Sequence, residues 1–152
     1  MADADESQCS ILIAGVGNIF LGDDAFGSEV ARSLDTTLMP PGVRVVDYGI
    51  GGIHLAYDLL DGVDLLVMID AVEHGRDPGT VSVIEVDPAD VGPAALDSHA
   101  MDPAAVLAHV DRLGGTVPRT LIIACQPADC AEGLGLSDVV LAAVTTAVAA
   151  VH

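Results

Sequence analysis

The sequence predicts one α/β domain, a three-layer sandwich with a mostly parallel five-stranded sheet and helices on both faces. Short apolar runs alternate with amphipathic stretches of helical period along the chain, and several of the runs are uninterrupted, as in strands buried on both faces. The third observation is size. A chain of 152 residues, 51% of them hydrophobic, buries one substantial core, and two full domains would be cramped. Residues 1–152 are therefore read as a single domain, with residues 1–9 as a flexible tail.

Ser10 to Ala14 (SILIA) reads as the first strand, closed by Gly15, and Asp24 to Leu34 carries Phe26, Val30 and Leu34 at helical spacing. Val43 to Tyr48 (VRVVDY) follows a Pro-Pro-Gly break as the second strand. After the turn Gly49 to Gly52, Ile53 to Leu60 reads as a helix. Leu65 to Asp70 (LLVMID) is the third strand. Only the nine residues Ala71 to Gly79 separate it from the next, Thr80 to Val86. A parallel crossover needs about a dozen or more residues, so the fourth strand is expected to run antiparallel. Asp102 and Pro103 form an N-cap and N1 pair for a helix with Val106, Val110 and Leu113 inward, ending at Gly114. Arg119 to Cys125 is the last strand. Ser137 then caps a C-terminal helix expected to face Leu141, Val144, Val148 and Val151 inward.

The 5 basic residues against 23 acidic ones leave a formal charge of −18. Such a surface repels phosphate backbones and anionic headgroups, which argues against nucleic acid and membranes as partners, although solubility alone explains most of the charge. Three cysteines, Cys9, Cys125 and Cys130, are an odd number in a chain that needs no staples, and they suggest a reducing compartment. Met1 to Gln8 lacks a basic and apolar leader, and the longest apolar stretch, Val139 to Val151, falls short of the roughly 20 residues that span a bilayer. A soluble cytoplasmic protein is expected.

The first loop runs Gly15-Val16-Gly17-Asn18-Ile19-Phe20-Leu21-Gly22-Asp23-Asp24-Ala25-Phe26-Gly27. A glycine loop between a first strand and a first helix invites a dinucleotide-binding reading. The spacing is GxGxxxxG rather than GxGxxG, however, and Asp23 and Asp24 put negative charge where phosphates need positive potential. Capping and the helix dipole explain one of these aspartates, and the second is explained less well. Carboxylates on strand-end loops are ordinary ligands for cations, and this favours metal over cap for Asp24.

Ligands of open α/β sheets bind outside the carboxyl ends of the strands. Asp24 lies past the end of the first strand and Asp70 closes the third, so both can face one crevice, and a carboxylate ending an apolar run is costly unless satisfied. An N-cap or loop-amide acceptor would also satisfy it. His54 and His109 fall within predicted helices as surface or packing residues, and His152 is terminal. His74 and His99 lie on loops, and either imidazole can serve the crevice. Cys125 and Cys130, in the run Cys-Gln-Pro-Ala-Asp-Cys, are conceivable nucleophiles, with buried structural thiols the commoner outcome.

The run GVGNIFLGDDAFG closely resembles the signature of hydrogenase maturation proteases, G-x-G-N, a few apolar residues, then G-D-D/E-x-x-G. Val46-Asp47 before its glycine-rich turn, Ile69 to Val72, Pro78 to Thr80, Ser98-His99 and Gly133 to Ser137 resemble family landmarks in family order, from about Ser10 to the last helix. The resemblance implies an endopeptidase that removes the C-terminal extension of a nickel-iron hydrogenase large-subunit precursor once nickel is inserted. It implies Asp24, Asp70 and His99 as the metal-contacting and catalytic residues, and it prefers His99 over His74. The first of these positions is often glutamate in the family, which leaves the choice between Asp23 and Asp24 open. Nickel would arrive with the precursor, no organic cofactor is expected, and a monomer suffices. Two other classes stand beside this one, a non-enzymatic nickel carrier using the same side chains and a Rossmann-type nucleotide-binding module.

Overall fold

A computed structural model of the protein describes residues 10–86 and 103–151. The strands are β1 (Ile11–Val16), β2 (Val43–Gly49), β3 (Leu65–Ala71), β4 (Val81–Glu85) and β5 (Arg119–Cys125). The helices are α1 (Phe26–Ser33), α2 (Gly52–Leu59), α3 (Pro103–Arg112) and α4 (Asp138–Val151), with short 3-10 turns at Gly22–Ala25 and Thr36–Leu38. The strands form one sheet in the order β2-β1-β3-β5-β4. β1 pairs in parallel with β2 and β3, and β3 in parallel with β5. β4 is antiparallel to β5, as its short connection demands.

Side chains of a strand alternate between faces, and the two cores follow from that period of two. Leu12 and Ala14 of β1, Leu66 and Met68 of β3, and Ile122 and Ala124 of β5 point to the face covered by Leu55 and Leu59 of α2 and Val106 and Val110 of α3. Their neighbours Ile13, Ile69 and Ile123 point to the other face, against Phe26 and Val30 of α1 and Val140, Ala143 and Ala147 of α4. Both faces of the central strands are thus covered, which is why those runs carry no polar alternation.

Two expected stripes are corrected. Leu141 is 58% exposed, and the buried stripe of α4 is Val140, Ala143 and Ala147, with Val144, Val148 and Val151 packed at its margin. The inner face of α4 is thus displaced by one residue from the expected one. Leu113 lies past the end of α3 and is also largely exposed, its place in the core taken by Leu107. The expected first helix starts instead as a 3-10 turn and becomes α-helical at Phe26, with Phe26, Val30 and Leu34 buried as their spacing required. His54 is exposed and His109 is half-buried. Cys9, His99, His152, the Asp102 cap and the N-terminal tail lie outside the described residues. Among the described residues, no helix is long and apolar enough to cross a membrane.

Candidate active site at the carboxyl edge of the sheet

Because β1, β2, β3 and β5 run in parallel, the loops that follow them gather at one edge. The first loop is stitched to the loop after β5. Gly22 N–H donates to the Gly133 carbonyl (3.0 Å), Gly133 N–H to that of Phe20 (2.8 Å) and Asp23 N–H to that of Asp129 (2.9 Å). Gly17 lets the loop fold back on itself. Its φ is +142°, and a Cβ there would stand 1.9 Å from the Asp24 carbonyl oxygen, so a side chain is excluded on both counts.

The adjacent aspartates have different employment. Asp23 is fully buried, and its carboxylate accepts from the backbone N–H groups of Ser137 (2.7 Å), Ala128 (2.8 Å) and Asp129 (2.9 Å) and from the Ser137 hydroxyl (2.8 Å). Burial alone would raise its pKa, and these hydrogen bonds from Ser137, Asp129 and Ala128 outweigh it and hold the carboxyl below its usual range. Asp23 thus ties the first loop to the loop after β5. Ser137 stands just before α4, where its carbonyl accepts from the Leu141 N–H (2.8 Å), and its hydroxyl also joins the helix start to Asp23. Neither aspartate caps α1, whose N-cap is Ala25 with no side-chain hydrogen bond.

Asp24 is only partly buried, and its Oδ2 accepts from Asn18 N–H (2.9 Å). Asn18 Oδ1 in turn accepts from Phe20 N–H (2.9 Å), so the loop itself orients Asp24. Asp70 sits near the carboxyl end of β3, 5% exposed, paired in register with Ala124 of β5. The 3-10 turn that carries Asp24 packs against β3, which brings the two aspartates to the same edge of neighbouring strands. His99 lies outside the described residues, and among the described residues no three His, Cys, Asp or Glu side chains gather into a metal centre.

His74 is committed within the loop after β3. Its Nδ1 lies 2.6 Å from the Val72 carbonyl oxygen and so carries the proton there, while Nε2 lies 3.3 Å from Ser82 Oγ. Gln126, buried just past β5, completes the clamp. Its Oε1 accepts from the N–H groups of His74 (2.8 Å) and Arg76 (3.3 Å), and its amide donates to Glu73. Sequence reasoning passed over Gln126, and its only signal was a polar residue directly after an apolar strand.

Neither thiol suits nucleophilic work. Burial, and then the charge of Asp23, pushes the Cys125 thiol up to about 11. Cys130 is raised by desolvation and then by the carboxylates of Asp24, Asp23, Glu73 and Asp129, residues of the loops after β1, β3 and β5. The edge is therefore electronegative, and a thiolate would be disfavoured there while a cation would be welcomed.

Asp23→Asn should lower stability at neutral pH by roughly 2–3 kcal/mol, because an amide cannot accept from four donors at once, and Tm should fall by roughly 5–10 °C. A carboxyl whose pKa is depressed by folding contributes stability above the unfolded pKa and loses it as pH falls through the folded value. The gap between wild type and variant should accordingly be full above about pH 4 and narrow below it. Thermal melts of both proteins between pH 7 and pH 3 check this, and a gap that widens in acid would refute the assignment.

The family model described as HycI: Hydrogenase maturation protease matches residues 28–152. That span starts after the glycine loop, so it weighs the chain independently of the loop's motif. The chain is similar to the hydrogenase expression/formation protein HupD of Rhizobium leguminosarum bv. viciae, 31% identical over 146 residues that cover 91% of this chain and 72% of that protein. It is similar in structure to the hydrogenase maturating endopeptidase HybD from E. coli, with a TM-score of 0.77 and 28% identity over 93% of this chain and 89% of the other. A hydrogenase 2 maturation peptidase from a Thaumarchaeota archaeon gives a TM-score of 0.70 at 31% identity, covering 93% and 95% of the two chains. With a matched model spanning most of its length, these relatives and this α/β framework, the chain belongs to the hydrogenase maturation protease family.

Proposed function

We propose that this protease removes the C-terminal extension of a nickel-iron hydrogenase large-subunit precursor after nickel has been inserted, and that Asp24, Asp70 and His99 grip the nickel that the precursor carries. The observation that carries the reading is the placement of Asp24 and Asp70 at one electronegative edge, on the loop after β1 and near the end of its neighbour β3. The donor set suits the ion. Two carboxylates and one imidazole make an open site of mixed oxygen and nitrogen ligands, able to take nickel that already holds substrate thiolates.

The bound ion supplies Lewis acidity near the scissile carbonyl. Asp24, oriented through Oδ2 by the Asn18 backbone N–H, would keep its other oxygen for the ion. Asp70 shares the charge, and a site carboxylate takes the proton of the attacking water. His99 completes the grip from the segment after β4. The protein works as a cytoplasmic monomer with no organic cofactor. The comparisons favour cleavage over a metal carrier or a nucleotide-binding module, since the matched family and solved structures are proteases and peptidases.

The experiment is direct. Purified protein is incubated with nickel-loaded and with metal-free precursor, and both are weighed by mass spectrometry. The loaded precursor is expected to lose its C-terminal extension while the metal-free one keeps its mass. A loaded precursor that stays at full mass overturns the protease reading.

A further inference from the structure

Beside Asp24, between the loops after β1 and β2, lies a cleft of about 410 Å³ that the metal site leaves unused. Asn18 joins the two, because it is among the residues lining the cleft while its backbone N–H holds Asp24. The mouth of the cleft is apolar. Ile19, Phe20 and Ile50 line it together, with Phe20 and Ile50 60% and 68% exposed, so apolar side chains are grouped at one opening. Deeper in stands Ser28 of α1, wholly buried, whose hydroxyl has no hydrogen-bond partner among the described residues.

That hydroxyl is the second, independent sign of a ligand. Five residues further along the same helix, Ser33 donates to the Glu29 carbonyl one turn back, as helical serines commonly do, and Ser28 does not. A buried hydroxyl without a partner costs stability, and such groups call for an explanation. Charge narrows what the partner is. The Arg32 guanidinium, also on the wall, is shared between Glu29 (2.9 Å) and Asp47 (3.6 Å), so the cleft has no surplus positive charge and does not suit an anionic occupant. The Tyr48 hydroxyl is likewise spent, donating to Asp58 (2.6 Å).

We infer that this cleft seats the precursor's polypeptide next to the cut, with an apolar side chain between Ile19, Phe20 and Ile50 and a main-chain carbonyl of that segment accepting from the Ser28 hydroxyl. The inference rests on the proposed function and adds a specificity site to it. In this conformation the hydroxyl is sealed from solvent and the Gly17 N–H donates to the Gly49 carbonyl (2.9 Å) between the two loops, so seating the segment on Ser28 requires the loops to separate there. A chain lying across Asp24 and into the cleft places the scissile bond beside the metal site while its flank is held by contacts that do not react. Such contacts govern KM more than kcat.

The test is steady-state cleavage of nickel-loaded precursor by wild type, Ser28→Ala, Phe20→Ser and Ile50→Ser. Ser28→Ala removes the hydroxyl without adding bulk and should leave Tm unchanged or raised, yet increase KM about tenfold with kcat within about twofold. The two surface variants cannot disturb the core and should each raise KM about fivefold or more. A KM within twofold of wild type in all three variants overturns the inference while the protease reading stands. Lower Tm and unchanged KM in Ser28→Ala would make Ser28 a packing residue only and overturn its part as donor. A wild-type protein that leaves the loaded precursor at full mass is a different failure, and it removes both readings together.

Discussion

Asp70→Asn should leave nickel-loaded precursor essentially uncut, with turnover down by at least about 100-fold. The substitution keeps the shape of the side chain and one carbonyl oxygen, and it removes the negative charge that the proposed grip needs. Altering groups that merely support a metal ligand already costs roughly 10–100-fold, so a direct ligand should cost no less. The backbone of residue 70 is held by its pairing with β5, so the fold should survive. A melt within a few degrees of wild type, alongside accumulation of full-length precursor in co-expression, is the expected pair of results. Normal tail removal by a folded Asp70→Asn protein would take Asp70 out of the mechanism.

Gly27→Ala should be strongly damaging although it adds only one methyl group. Helix propensity by itself favours alanine over glycine by about 1 kcal/mol. At Gly27, however, a Cβ would stand 2.0 Å from the Ile69 carbonyl oxygen and 2.3 Å from that of Val16. Both are backbone atoms of central strands, so no flexible side chain can give way, and α1 must lift from β1 and β3. Overpacking of a core costs about 1–3 kcal/mol where side chains can adjust, and at least about 3 kcal/mol is expected where they cannot. Tm should fall by roughly 10 °C. The lifted helix would also carry Asp24 away from Asp70, so cleavage should fall even below the melting temperature. A Tm within 2 °C of wild type would show that the strands yield easily and would remove this account of the first loop.

Much of the framework was legible because it depends on local rules. Strand period, the length of the connection between β3 and β4, and the spacing of Phe26, Val30 and Leu34 each act within a dozen residues, and each predicted its element. The inner face of α4 was misread because the stripe of larger residues around Leu141 looked like the buried one. Which face is buried depends on packing against elements far away in sequence, here α1, β4 and β5, and the side of α4 that meets them carries Val140, Ala143 and Ala147.

The candidate site divides in the same way. Its residue types were visible as a motif, and the parallel order of β1 and β3 made it natural that Asp24 and Asp70 share an edge. The separate duties of Asp23 and Asp24 were not visible, because they are set by donors more than a hundred residues away, at Ala128, Asp129 and Ser137. His74 looked as available as His99 until its two ring nitrogens met Val72 and Ser82.

The sequence by itself determined the α/β class, the strands that would be buried on both faces, the direction of β4 and the family signature, since hydrophobic period, loop length and motif spacing are properties of neighbours along the chain. Only the tertiary structure decided which aspartate is tied down, which helix face is buried, and that an apolar-mouthed cleft with a lone hydroxyl adjoins Asp24. Those depend on hydrogen bonds and contacts across the closed sheet, and they come into being only when distant loops meet at one edge.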